Sequence, residues 1–145
     1  MLEVTVDKFT FRIPEDLRYS DAGVWIRAEG SRARLGLTDF GQQVNGDIAF
    51  ANTPPLGTEL QVGDEFATIE TVKVNVGLPS PIRGRIVEVN PTIPEAPELI
   101  NQDPYGLGWL VALEPSSWEA DKSKLLDAPG YLESVRAQAE AELKK

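Results

Sequence analysis

The chain has 145 residues, 41% hydrophobic and 26% charged, enough for one globular domain with a real core. A formal net charge of -9 repels phosphate backbones and argues against nucleic acid as a partner. Cysteine and histidine are both absent, which excludes disulfides, thiolate metal sites, a thiol nucleophile and the usual neutral-pH general base; redox or group-transfer chemistry needs a group added to the chain.

From the N-terminus, Val4, Val6, Phe9, Phe11 and Ile13 alternate with polar residues, predicting a hairpin or edge strand pair closed by Pro14. Two short strands, Val24 to Gly30 and Arg32 to Leu37, flank a Glu-Gly-Ser turn. Thr38 is placed to N-cap a helix from Asp39 to Val44, ended by Asn45-Gly46. Asp47 to Ala51 is the next strand, and Pro54-Pro55-Leu56-Gly57 is a turn into Thr58-Glu59-Leu60. Pro91 to Pro104 is rich in Pro and Asn and predicts an ordered surface loop. Gly108 to Leu113 is a last strand and Trp118 to Leu126 a short helix. A final helix runs from Asp127 or Pro129 to Lys145, with Leu132, Val135, Ala139 and Leu143 opposite solvated Glu133, Arg136, Glu140 and Lys144. That helix is expected to pack on the sheets. No run is apolar enough to span a membrane and Met1-Leu2-Glu3 does not begin a secretory signal, so the expectation is a cytoplasmic protein without membrane contact.

The stretch from Val62 to Val76 differs in kind. An acidic turn, Gly63-Asp64-Glu65, leads into a strand in which Phe66, Thr68, Glu70 and Val72 alternate with Ala67, Ile69 and Thr71. Ser80 to Val89 is predicted to turn back along it, placing Lys73 at the tip of a β-hairpin between Val72 and Val74. A primary amine on a short rigid turn suits attachment of a group that must visit other proteins; the plain alternative is a solvated turn lysine. Trp25 and Trp109 read as core anchors, and Asp103-Pro104-Tyr105-Gly106 as a turn. The carboxylates Asp64, Glu65, Glu70 and Asp103 have no His or Cys to pair with, so the chain is not expected to be an enzyme in its own right, and no metal site is expected.

Further segments carry a resemblance. Leu35-Gly36-Leu37-Thr38-Asp39-Phe40, Gly46-Asp47-Ile48, Val62-Gly63-Asp64, Glu70-Thr71-Val72-Lys73, Ser80-Pro81-Ile82-Arg83-Gly84, Val87-Glu88-Val89-Asn90, Asn101-Gln102-Asp103-Pro104-Tyr105-Gly106 and Gly108-Trp109-Leu110 fall in one order, from about Tyr19 to Trp118. Together they resemble the lipoyl-carrier family, and within it the glycine cleavage H-protein-like proteins. The resemblance implies a mainly β fold with flanking helices: a barrel-sandwich hybrid of two antiparallel sheets plus a C-terminal helix. It also implies a single domain, with a core of about 19–118, an N-terminal hairpin 1–18 and a C-terminal helical segment 117–145. Lipoate would be amide-linked to Lys73, with Glu70 recognised by the lipoate-attaching enzyme, or else simply a solvent-facing strand position. Biotin carriers share the architecture but usually flank the lysine with methionine, whereas Val72 and Val74 stand here.

The departures choose between pathways. H-protein-like chains usually carry Glu-His-Glu where Ala22, Gly23 and Val24 stand, and Ser-Asp where Val76-Gly77 stands. Acidic residues at those places are understood to hold a cationic arm in a cleft, and a cation withdrawn from water needs such partners. Val24, Val74, Val76 and Leu78 instead suggest an apolar arm cleft. This pattern is similar to the lipoate-binding proteins of sulfur oxidation, and implies an arm shuttling sulfur intermediates or electrons among heterodisulfide-reductase-like complex subunits and sulfur transferases. Arg83 and Arg85 could then attract oxidised sulfur anions, or simply offset Glu88 on an exposed strand. The alternative is a glycine cleavage H-protein carrying the aminomethyl group between glycine decarboxylase and aminomethyltransferase. A second alternative is an unmodified interaction module. In each reading the chain is expected to be a monomer.

Overall fold

In the computed structural model, which describes residues 1–143, β1 (Leu2–Val6) and β2 (Phe9–Ile13) form an antiparallel hairpin with Val4 opposite Phe11. Then come β3 (Arg18–Tyr19), β4 (Val24–Glu29), β5 (Arg32–Leu37), α1 (Asp39–Asn45), β6 (Ile48–Asn52), β7 (Glu59–Leu60), β8 (Glu65–Thr71) and β9 (Asn75–Pro79). β10 (Gly84–Val89), α2 (Leu99–Gln102), β11 (Val111–Pro115), α3 (Trp118–Lys122) and α4 (Ala128–Leu143) complete the chain. The expected placements of the Leu143 side chain, Lys144 and Lys145 lie outside the described residues.

A six-stranded sheet, ordered β3-β4-β5-β11-β10-β7, packs against a three-stranded one, β6-β8-β9. Alternation along each strand sends one set of side chains inward. Leu35, Ile86, Val111 and Leu113 of the larger sheet meet Phe66, Ile69 and Leu78 of the smaller in one buried cluster. The architecture is the two-sheet barrel-sandwich, mainly β with flanking helices.

The hairpin under Lys73 is closed by a different strand from the one expected. β8 pairs with β9, with Glu70 opposite Asn75 and Ile69 opposite Val76. Ser80 to Val89 is not its return strand. At Pro79 the ladder stops, and the Ser80 amide donates to the Asp64 carbonyl at 2.7 Å while its hydroxyl donates to the Ile82 carbonyl at 2.7 Å. This turn delivers the chain to the other sheet, where β10 pairs with β11 and β7. Gly84 is needed at the entry, because a Cβ there would sit 2.6 Å from the Glu114 carbonyl oxygen.

The loop from Pro91 to Pro104 contains α2 and buries Ile93 and Ile100 in the main core. The terminal helix packs on the sheets as expected, chiefly on the β1–β2 hairpin and also on β3 at the edge of the larger sheet. Its Tyr131, Val135 and Ala139 join Val4, Val6, Phe11, Ile13, Tyr19, Trp25 and Phe40 in a second cluster. There Tyr19 and Tyr131 stack at 4.5 Å, and the Tyr131 hydroxyl meets Thr38 Oγ1 at 2.7 Å. Burial pushes the Tyr19, Tyr105 and Tyr131 phenols above their ordinary range. Thr38 N-caps α1 as expected, accepting from the Gly41 amide at 3.0 Å.

Candidate functional site

β8 ends at Thr71, and the chain reverses through Val72, Lys73 and Val74 before β9 begins. Thr71 organises the reversal. Its amide donates to the Val74 carbonyl at 2.9 Å, and its Oγ1 accepts from the amides of Lys73 at 3.2 Å and Val74 at 3.1 Å. A hydroxyl serving two following amides fixes the turn without glycine or proline. Lys73 is exposed, and among the described residues no carboxylate pairs with it. Val72 is 95% exposed and Val74 45%. Phe50, 62% exposed on β6, pairs in register with Glu70, whose other neighbour is Asn75. The lysine therefore stands in a surface patch of large apolar side chains with one half-buried carboxylate near its base, a pattern typical of a contact surface.

A groove of about 320 Å³ runs beside the turn, lined by Val44, Asn45 and Asp47 on one side and Thr71, Val72 and Lys73 on the other. The pairing of Ile48 with Thr71 brings the α1–β6 junction there. Asn101 of α2 holds that junction: its Oδ1 accepts from the Ile48 amide at 2.9 Å, and its Nδ2 donates to the Gly46 carbonyl at 2.9 Å and to Gln42 Oε1 at 3.0 Å. The sequence did not reveal Val44, Asn45, Asp47 or Asn101 as neighbours of the lysine. Gly46-Asp47-Ile48 carried a resemblance, but only strand pairing places it here.

The four residues expected to line an apolar cleft do not converge. Val24 and Leu78 are fully buried in the main core, Val76 is half-buried against it, and Val74 alone stays at the surface. Strand alternation explains this for β9, which turns Val76 and Leu78 inward, while β4 lies inside the larger sheet. Gly23 adopts φ +85 in a turn where its amide donates to the Ser20 carbonyl and its carbonyl accepts from the Thr38 amide, so a histidine there would be strained. Gly77 is covered by Glu65: a Cβ on Gly77 would collide with that carboxylate. An acid therefore does occupy the place after the lysine, supplied by β8.

Arg85 is an exposed strand cation as the plain reading expected, but neither it nor Arg83 offsets Glu88. The Arg83 amide donates to Asp121 Oδ2 at 2.8 Å, and its guanidinium Nη2 donates to Oδ1 at 2.9 Å. Burial alone would raise the Asp121 carboxyl, but hydrogen bonds from Arg83 hold it below its ordinary value, and the same bonds hold Arg83 above its own. Arg85 pairs with Glu114 at 3.2 Å, and Glu88 with Arg32 and Arg34 instead. Both arginines are tied down by structure.

An exposed amine with no counter-charge, on a turn whose backbone is held by a neighbouring hydroxyl, fits a covalently attached acyl group. Asp64 and Asp103 serve turns, Asp64 Oδ2 accepting from the Gln61 amide and Asp103 Oδ2 from the Leu107 amide, each at 2.8 Å, and among the described residues no cluster of metal-ligating side chains occurs. No helix is long and apolar enough to cross a membrane among those residues.

The glycine cleavage H-protein family model matches residues 17–138. A glycine cleavage system H protein of Bacteroides fragilis is 45% identical over 124 residues, covering 86% of this chain and 98% of that protein. One from Bacillus subtilis is 40% identical over 124 residues, covering 86% and 97%. The crystal structure of a glycine cleavage system H protein from Mycobacterium marinum superposes with a TM-score of 0.74 at 33% identity, covering 82% of this chain and 95% of that one. The sulfur-oxidation reading finds no support among these relatives.

Proposed function

We propose that this chain, which belongs to the glycine cleavage H-protein family, carries aminomethyl cargo on a lipoyl arm attached to Lys73, between glycine decarboxylase and aminomethyltransferase. It is a carrier rather than an enzyme, with lipoate as its covalent prosthetic group. The observation that supports Lys73 as the attachment point is its exposed, uncompensated amine on the Thr71-braced turn.

In attachment, the neutral Lys73 amine forms an N–C bond to an activated acyl carbon, the activating group leaves, and a proton passes to solvent. The positive charge of the side chain is lost. We assign recognition by the lipoate-attaching enzyme to Glu70, which stands at the base of the hairpin beside Phe50 and Asn75. Val72 and Val74 give the enzymes that receive the arm an apolar contact around a rigid base. Bound lipoate supplies a cyclic disulfide that opens to a dithiol, chemistry that no side chain of this cysteine-free chain can provide. The turn presents this chemistry at high effective concentration to each partner in succession.

One observation favours the second reading, service to a heterodisulfide-reductase-like complex: Ala22 and Gly23 stand where relatives of the H-protein type usually carry acids and histidine. Glycine decarboxylase, glycine and the lipoylated protein decide the matter, with the Bacillus subtilis relative as control. Loading of aminomethyl cargo comparable to the control supports glycine cleavage. A control that loads while this chain does not shifts the assignment to sulfur chemistry.

A further inference from the structure

The N-terminal hairpin lies outside residues 17–138, the span matched by the family, and its two edges differ. The edge of β2 is closed at Arg12. Its amide donates to Asp39 Oδ2 at 2.9 Å, and its carbonyl accepts from the Tyr105 hydroxyl at 2.6 Å. Both backbone groups of Arg12 therefore point away from β1. Arg12 lies opposite Glu3, and pairs of this kind alternate along an antiparallel ladder, so the amides and carbonyls of Glu3 and Thr5 also point outward. Among the described residues nothing donates to them or accepts from them. β1 has no proline, no lysine and no bulge to protect that edge, and Glu3 and Thr5 are exposed.

We propose that the open edge of β1 is an interface between two copies of this chain, which pair edge to edge into a four-stranded sheet ordered β2-β1-β1-β2. The occupant follows from charge complementarity. In a two-fold antiparallel pairing centred on Val4, Glu3 of one copy lies opposite Thr5 of the other, Leu2 opposite Val6, and Val4 opposite Val4. Met1, whose ammonium already pairs with Glu15, then faces Asp7 of the other copy. Sliding the register by two residues sets Glu3 against Glu3 in one direction and against Asp7 in the other, and like charges directly opposite repel. A one-residue slip puts the valines of one copy on the solvent face. The strand's own charges thus select one self-complementary register. Its five residues span about 17 Å, far less than a standard interface of about 1,600 Å² requires, so the dimer is weak and reversible. The turn at Lys73 belongs to β8 and β9 and takes no part, so a dimer displays two such lysines whatever they carry.

The test is sedimentation equilibrium of the full chain in about 0.5 M sodium chloride, where a Debye length of about 4 Å screens the repulsion between two chains of net charge -9. The expected result is a monomer–dimer equilibrium with a dissociation constant of about 0.1–1 mM. Thr5→Pro, which removes an outward amide from β1, weakens it at least about tenfold, whereas Thr10→Pro, which removes one from β2, leaves it unchanged. The two hydroxyls share one hydrogen bond of 2.9 Å, so both variants lose the same contact within the hairpin. A second reading needs no variant and decides the matter if Thr5→Pro does not fold. Between about 0.05 and about 1 mM parent chain, the Glu3 and Thr5 amides shift and exchange about twofold more slowly, while the Thr10 amide does neither. A parent chain that stays monomeric at about 1 mM overturns the interface, as does a dimer that leaves the Glu3 and Thr5 amides unmoved or persists unchanged in folded Thr5→Pro. Each of these results leaves the carrier reading standing.

Discussion

Replacing Thr71 with alanine tests whether the turn under Lys73 is built by one hydroxyl. The substitution removes the acceptor for the Lys73 and Val74 amides at 3.2 and 3.1 Å, and leaves the Thr71 amide bond to the Val74 carbonyl intact. Each bond is worth about 0.5–1.5 kcal/mol net, but both amides are exposed, so water recovers part of the loss and about 1 kcal/mol in total is expected. That is about a fivefold rise in the open fraction of the turn. Hydrogen exchange reads it directly: the Lys73 and Val74 amides lose about fivefold protection, while core amides such as Ile69 are unchanged. The catalytic efficiency of enzymatic lipoylation falls alongside, because a looser turn spends less time in the geometry the attaching enzyme receives. Thr71→Ser keeps Oγ and restores both readings. Equal exchange and equal lipoylation in the alanine and serine variants would refute the assignment of the turn to this hydroxyl.

Gly84→Ala places a Cβ 2.6 Å from the Glu114 carbonyl, so β10 and β11 must separate; about 2 kcal/mol of stability is lost in urea unfolding, with the slope unchanged. The Asp121 carboxyl is held below its ordinary value in the folded state, so on acidification the unfolded chain takes up the proton first. Its stabilisation is complete above about pH 4 and fades as pH falls further; Asp121→Asn flattens that acid limb, read as midpoint against pH. Because the Arg83 guanidinium is about a third exposed, the loss near neutral pH is about 2 kcal/mol rather than that of a fully buried pair. Asn101→Ala frees the Ile48 amide and the Gly46 carbonyl, and exchange at Ile48 rises at least tenfold while α4 keeps its protection.

Local signals were legible where a single residue type dictates a local geometry. The Thr38 cap, the Gly30 turn between β4 and β5 and the exposed lysine turn all follow from neighbours within a few positions. Strand pairing was less so. Asn75 to Pro79 contains Gly and Pro, both poor strand formers, and is outweighed in strand propensity by the Ile-Val-Glu-Val run that belongs to the other sheet. The Pro-rich segment from Pro91 to Pro104 concealed α2 and two buried isoleucines, because turn chemistry dominates its composition. Arg83 and Asp121 lie 38 residues apart, and no periodicity joins them. The apolar cleft inferred from Val24, Val74, Val76 and Leu78 failed because the face of β9 that carries Val76 and Leu78 turns into the core, while Val24 sits in the other sheet and Val74 stays in the exposed turn. The acid missing at Gly77 returned from a neighbouring strand as Glu65, which only the register reveals.

The most direct measurement is intact mass with peptide mapping after incubation with lipoate, ATP and a lipoate-attaching enzyme. The account predicts a single lipoyl increment on the peptide containing Lys73, and none in Lys73→Ala, whose circular dichroism and unfolding midpoint match the parent. An increment that persists in Lys73→Ala, or a parent chain that gains none, contradicts it.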